Sequence, residues 1–130
     1  MNLTMDTVAV RDETLTAAAE AAQDYINQWK QSTGGNAYGE PVYCGFAWVT
    51  IYPSFAHKGN TRDGRAERKE FDAVMQQLGA RLDYTGKAYQ LWNPSGWAGQ
   101  SMDAKEAGAR AAAKVLQKYG YTAYAGSRAD

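Results

Sequence analysis

The chain has little of what disulfide and metal chemistry require: one cysteine, Cys44, and one histidine, His57, in 130 residues. A lone cysteine excludes an intramolecular disulfide framework and any cysteine-based zinc cluster, and it makes a reducing compartment the simpler assignment. A single histidine excludes multi-histidine metal sites, and the HExxH pattern is absent. Leu, Ile and Phe are scarce, and no apolar run approaches the ~20 residues needed to cross a bilayer. The N-terminus, MNLTMDTVAVRDET, has no basic segment leading into an apolar stretch, so no signal peptide is expected and the chain reads as a cytoplasmic protein. Neither charge sign is in excess, since 14 Lys and Arg balance 14 Asp and Glu. That balance excludes a uniformly basic nucleic-acid coat and an acidic DNA mimic.

What is present suits one folded domain. Hydrophobic residues make up 45% and charged residues 22%, which excludes disorder as the default state. A chain of this length buries roughly two-thirds of its unfolded surface. Alanine and tyrosine are abundant, and a core of Ala, Tyr and Trp needs close helix–sheet approach. Charge is unevenly spread: residues 1–40 carry a net −4 and residues 41–130 a net +4. The densest basic stretch, His57 to Lys69, holds five cations against two acids.

Residues 1–11 read as a flexible arm. From Asp12 to about Gln31, Leu15, Ala18, Ala19, Ala22, Tyr25, Ile26 and Trp29 recur at helical spacing, with Asp12 as the cap. A glycine-rich loop through Pro41 follows. Val42 to Tyr52 is the strongest strand, with Tyr43, Gly45, Ala47, Val49 and Ile51 on one face and Val42, Cys44, Phe46, Trp48, Thr50 and Tyr52 on the other. Both faces are apolar, which predicts a central strand covered on both sides. A helix over 64–78 presents Phe71, Val74, Met75 and Leu78 and stops at Gly79. Arg81–Tyr84 and Lys87–Trp92 form a hairpin around Thr85-Gly86. Ser101 caps a helix running through Tyr119, with Lys105, Arg110, Lys114 and Lys118 facing water and Gly120 as its stop. Tyr121–Ala125 is a last strand, and 126–130 a tail.

The order α, then β-α-β-β-α-β, predicts an α+β protein. Residues 42–130 match the ferredoxin-like, or split βαβ, plan of an antiparallel sheet with two helices on one face, preceded by an added helix over 12–31. That helix either covers the sheet face bearing Phe46, Trp48 and Tyr52 or pairs with a second copy in a homodimer. With the first and third strands of the repeat taken as parallel neighbours, loops 53–63 and 93–101 would emerge at one end, each leading into a helix N-terminus. Unpaired amides and the helix dipole favour negative charge there. Candidate ligand-binding residues are Ser54, His57, Lys58, Asn60, Arg62 and Arg65 from the first loop and helix start, and Asn93, Ser95, Trp97 and Ser101 from the second. Thr61 adds a hydroxyl, Gly59, Gly64, Gly96 and Gly99 allow close backbone approach, and Trp97 would stack on a base or sugar. The implied ligand is a phosphate-bearing anion, a nucleotide or nucleic acid, although neither loop has the P-loop or GxGxxG pattern.

Two other readings compete. Phe46, Trp48 and Tyr52, with Tyr89 or Trp92 on the next strand, resemble the stacking platform of RRM-type single-strand binders, but the RNP1 pattern is absent. Catalysis would have to run through His57 as base with Ser54 as nucleophile, and no G-x-S-x-G elbow accompanies them. Cys44 reads as a small buried hydrophobe. No catalytic residue, metal site or cofactor is assigned.

The stretches Lys58–Lys69 (KGNTRDGRAERK), Trp92–Gly96 (WNPSG) and Ala123–Asp130 (AYAGSRAD) resemble small accessory proteins of tailed phages and prophages, over roughly residues 42–130. The resemblance implies action in the host cytoplasm, in host takeover or defence evasion, by binding rather than turnover. The leading expectation is therefore a non-enzymatic binding protein holding an anionic ligand at the two loops. Its rivals are an inhibitor of a host protein, acting through the aromatic strand face or the first helix, and a small hydrolase or transferase using His57.

Overall fold

A computed structural model describes residues 6–37, 39–41, 43–53 and 61–129. Three helices and four strands follow in the order α1 (Thr7–Thr33), β1 (Gly45–Tyr52), α2 (Arg62–Leu78), β2 (Arg81–Leu82), β3 (Tyr89–Trp92), α3 (Met102–Lys118) and β4 (Thr122–Ala129). The chain is thus α+β, with one four-stranded sheet in the order β2-β3-β1-β4 and every neighbouring pair antiparallel.

α1 begins five residues before the expected start. Asp6, not Asp12, is its cap, accepting from the amides of Val8 and Ala9 at 3.1 and 3.0 Å. Residues of the anticipated arm from Thr7 onward are therefore helical; residues 1–5 lie outside the described part. The β-branched Val8 and Val10 tolerate helix because Val10 opens the buried stripe Val10, Thr14, Ala18, Ala22, Ile26. A stripe stepping by four drifts about 40° per step around a helix of 3.6 residues per turn. The near end of α1 accordingly meets α2, where Arg11 Nη1 donates to Gln77 Oε1 at 2.9 Å. Farther along it meets α3, running antiparallel to it: Glu13 binds Lys118 and Tyr119 near the C-terminal end of α3. Those two partners hold the Glu13 carboxyl below its ordinary pKa, the Lys118 hydrogen bond being the larger cause.

Small residues set the closeness of this contact. A Cβ on Gly108 would lie 2.5 Å from Ser95 Cβ and 3.0 Å from the Ala18 carbonyl oxygen, so only glycine fits between α1 and the loop before α3. The main core combines Val10 and Ala18 of α1, Phe71, Val74, Met75 and Leu78 of α2, and Ala109, Ala112 and Leu116 of α3 with Ala47, Val49, Ile51, Leu91 and Ala123 of the sheet. All three helices thus cover one sheet face, and α1 shares the core of residues 42–130. Its alanine stripe is spent inside the molecule rather than left for a second copy.

Several expectations change here. β1 and β3 are antiparallel, with Trp48 opposite Trp92 and Ile51 opposite Tyr89. The reason is the hairpin: α2 returns the chain so that β2 runs in the same sense as β1, and the turn after β2 reverses it to place β3 between them. Asp83 fixes that turn, its amide donating to Ala88 O at 2.9 Å and its carboxylate accepting from the Thr85 amide and hydroxyl. β2 is shorter than expected and Tyr84 is exposed. Lys105 is buried instead of solvated, donating from Nζ to Gly45 O at 3.1 Å. α2 starts at Arg62, two residues early, because Thr61 Oγ1 accepts from the Gly64 amide at 3.1 Å. Val42 lies outside the described residues, and half-buried Cys44 precedes β1, forming an isolated bridge with Ser101. β4 runs to Ala129, pairing with the whole of β1, so most of the anticipated tail is strand. Tyr121, just before β4, packs edge-on to Phe71, and burial pushes its phenol pKa up to about 12.

Candidate functional site

The roots of the two loops lie at opposite ends of β1 and not together as expected. β1 ends at Tyr52, opposite Thr122, whereas β3 ends at Trp92, and the Asn93 amide bonds Ala47 O at the other end of β1. Ala47 and Tyr52 are five residues apart on one strand, so the roots of the two loops are separated by about 17 Å. Ser54, His57, Lys58 and Asn60 lie outside the described residues. Arg62 and Arg65 are exposed in the first turn of α2.

The structure does bring together the candidates of the second loop, but they bind one another. Ser95 Oγ donates to Asn93 Oδ1 and accepts from the Trp97 amide, while Asn93 Nδ2 donates to Trp97 O, each at 3.1 Å. Asn93 adopts a φ of +44°, a conformation asparagine tolerates better than most residues. Ser101 is fully buried as the cap of α3, accepting from the Ala104 amide at 3.2 Å. Trp97 does not lie open for stacking; it packs with Ala22, Tyr25, Ile26 and Ala104. Its indole N–H donates to Glu40 Oε2 at 2.6 Å, and the Gln100 amide donates to Glu40 Oε1 at 2.5 Å. The Gln100 amide just ahead of α3 is therefore already taken by the protein's own buried Glu40. Gly99 leaves the room in which the Glu40 carboxylate sits, and a Cβ there would displace it. Nothing in the sequence marked Glu40, because its partners are about 60 residues away.

The opposite sheet face is where side chains remain available. β1 directs Phe46, Trp48, Thr50 and Tyr52 away from the helices, and the register adds Gln90 and Trp92 from β3, Thr122, Tyr124, Gly126 and Arg128 from β4, and Arg81 from β2. α1 does not cover this face, and Phe46, Tyr52, Trp92 and Tyr124 are 39%, 42%, 51% and 60% exposed. Tyr89, offered by the sequence as a platform residue, turns to the core instead and packs against Phe71 at 5.6 Å between ring centroids.

Local contacts hold the rings in place. Trp48 and Trp92 sit directly opposite each other, centroids 5.0 Å apart and planes at 38°. Phe46 meets Trp92 edge-on at 6.5 Å, and Tyr52 meets Tyr124 edge-on at 6.4 Å. Such pairs are favourable beyond the area they bury and restrict ring motion. Gly126, opposite Trp48, makes the space: any Cβ there would come within 2.8 Å of the indole. The Arg128 guanidinium lies 6.0 Å and Lys105 Nζ 5.7 Å from the Phe46 ring centroid. The strand residues of this face include two arginines and no carboxylate.

Tyr124, Gly126 and Arg128 were missed from sequence, although Thr122, Tyr124, Gly126 and Arg128 alternate as strand residues do. The Gly-Ser pair within that run looked like a loop. Among the described residues, no three His, Cys, Asp or Glu side chains are grouped as metal ligands would be, and no helix is long and apolar enough to cross a membrane. No family model, curated protein or solved structure matches the chain.

Proposed function

We propose that this chain is a non-enzymatic binding protein whose seat for its partner is the open aromatic face of the sheet. One observation carries the reading: five aromatic side chains share a face that three helices leave uncovered, four of them more than a third exposed. A protein of this size has no packing reason to keep Trp92 and Tyr124 in water, and contiguous exposed apolar surface of this kind marks interaction sites. The seat between two loops is set aside, because the loop roots lie at opposite ends of β1 and Glu40 already accepts from the Gln100 amide and the Trp97 indole of the second loop. The strand order, with β1 and β2 in the same sense on either side of an antiparallel β3, supports reading the domain as a split βαβ, ferredoxin-like unit with α1 added. The likeness to tailed-phage accessory proteins supports placing the binding event in host takeover or defence evasion.

Site-specific photo-crosslinking tests the seat. Tyr124 on the face and Arg110 on the outer side of α3 are each replaced by p-benzoylphenylalanine, and expressing cells are irradiated. Adducts are expected from position 124 and not from 110. No adduct at 124, or equal yields at both, would refute the assignment.

A further inference from the structure

We infer that the partner of the aromatic face is single-stranded nucleic acid, laid across β1 with its bases on the rings and its phosphates at the arginines; this rests on the face being the binding seat. Three features select that chemistry. First, every large apolar side chain of the face is aromatic: Phe46, Trp48, Tyr52, Trp92 and Tyr124, with no Leu, Ile or Val among the strand residues there. Rings without aliphatic neighbours suit flat π-faces, and stacking is tolerant of base identity because every base has such a face. Second, the charge is complementary to a polyanion. Arg81 and Arg128 stand on the two outer strands, and among the described strand residues of the face no carboxylate is present that would pair with a cation on a protein partner. In a chain whose charges sum to zero, this one-signed surface is a local feature and not a reflection of composition. Third, the rings form two groups, Phe46/Trp48/Trp92 and Tyr52/Tyr124. Trp48 and Tyr52 are four residues apart along β1, about 13 Å, which gives footing for two or three unstacked bases. A duplex is disfavoured, because its bases are already stacked on one another and are not free to lie on the rings.

Fluorescence anisotropy with labelled 12-mers of RNA and DNA, single-stranded and duplex, tests this on the full chain. Single strands are expected to bind better than duplexes. With two phosphates neutralised, log affinity against log salt should have a slope of about −1.4. Trp92→Ala and Tyr124→Ala, both at exposed positions, should each weaken binding by about 5- to 150-fold. Arg128→Ala should reduce the salt slope by about 0.7. Arg110→Ala, on the far side of the molecule, should change nothing, and circular dichroism verifies that each variant keeps its fold. Failure of every single-stranded oligonucleotide to bind, or binding indifferent to Trp92→Ala and Tyr124→Ala, overturns the inference. If oligonucleotides fail while position 124 yields a protease-sensitive, nuclease-resistant adduct, the seat stands and its partner is a protein. If position 124 yields no adduct either, both readings fall.

Discussion

Glu40, from the segment after α1, ties down the second loop. Its carboxylate is nearly out of water, and it closes the segment after α1 onto the start of α3 by accepting from the Trp97 indole and the Gln100 amide. Hydrogen bonds to a charged acceptor are stronger than neutral ones, and buried donors left without a partner are costly. Glu40→Ala should therefore destabilise the protein by roughly 2 kcal/mol, read as a lower urea midpoint with an unchanged slope. A midpoint equal to that of the parent would mean water replaces the carboxylate without loss. Sequence inspection recognised Asn93, Ser95, Trp97 and Ser101 as a polar constellation, and the structure does group them. What it could not supply was the direction of their donors and acceptors, which point at one another and at Glu40 instead of outward.

At the scale of elements, α1 and α3 show how an alanine-rich chain makes a core. Ala18 and Gly108 bring the helix backbones close, so that dispersion between main chains substitutes for interlocked large side chains. Gly108→Val should force the helices apart at the point where Ser95 and the Ala18 carbonyl leave no room, costing about 1–3 kcal/mol. Thermal unfolding followed at the helix band measures it, and an unshifted midpoint would contradict the close approach. Most elements were legible beforehand: α2, the hairpin, α3 and its Ser101 cap follow from spacing and capping residues. The boundaries that moved did so for reasons outside local pattern. Asp6 offered a cap earlier than Asp12, and β4 continued past its Gly-Ser pair because β1 supplied partners along its full length.

For the molecule as a whole, the decisive arrangement is asymmetric: three helices on one sheet face and none on the other. Since Val10 and Ala18 of α1 belong to the same core as Val49 and Leu116, the first helix should not melt separately. Far-ultraviolet dichroism, dominated by the helices, and tryptophan emission, which includes Trp48 and Trp92 on the sheet, should trace coincident urea transitions. An early helical transition would show that α1 is an appendage. The same asymmetry leaves the aromatic face open, and the flanking Arg81 and Arg128 give it a sign that the neutral composition conceals.

Local chemistry was enough to specify an α+β chain, the sequence of its elements and the alternation that puts Phe46, Trp48 and Tyr52 on one side of β1, because capping, turn residues and the period of two act between near neighbours. Which side of the sheet the helices took, whether α1 would shield those rings, and that Glu40 would meet a loop 60 residues onward were decided only by tertiary packing. Those outcomes depend on competition among apolar surfaces for burial. The small stripes of α1 and α3 fitted each other more closely than either could fit a face of indoles and phenols, so the rings were left to solvent.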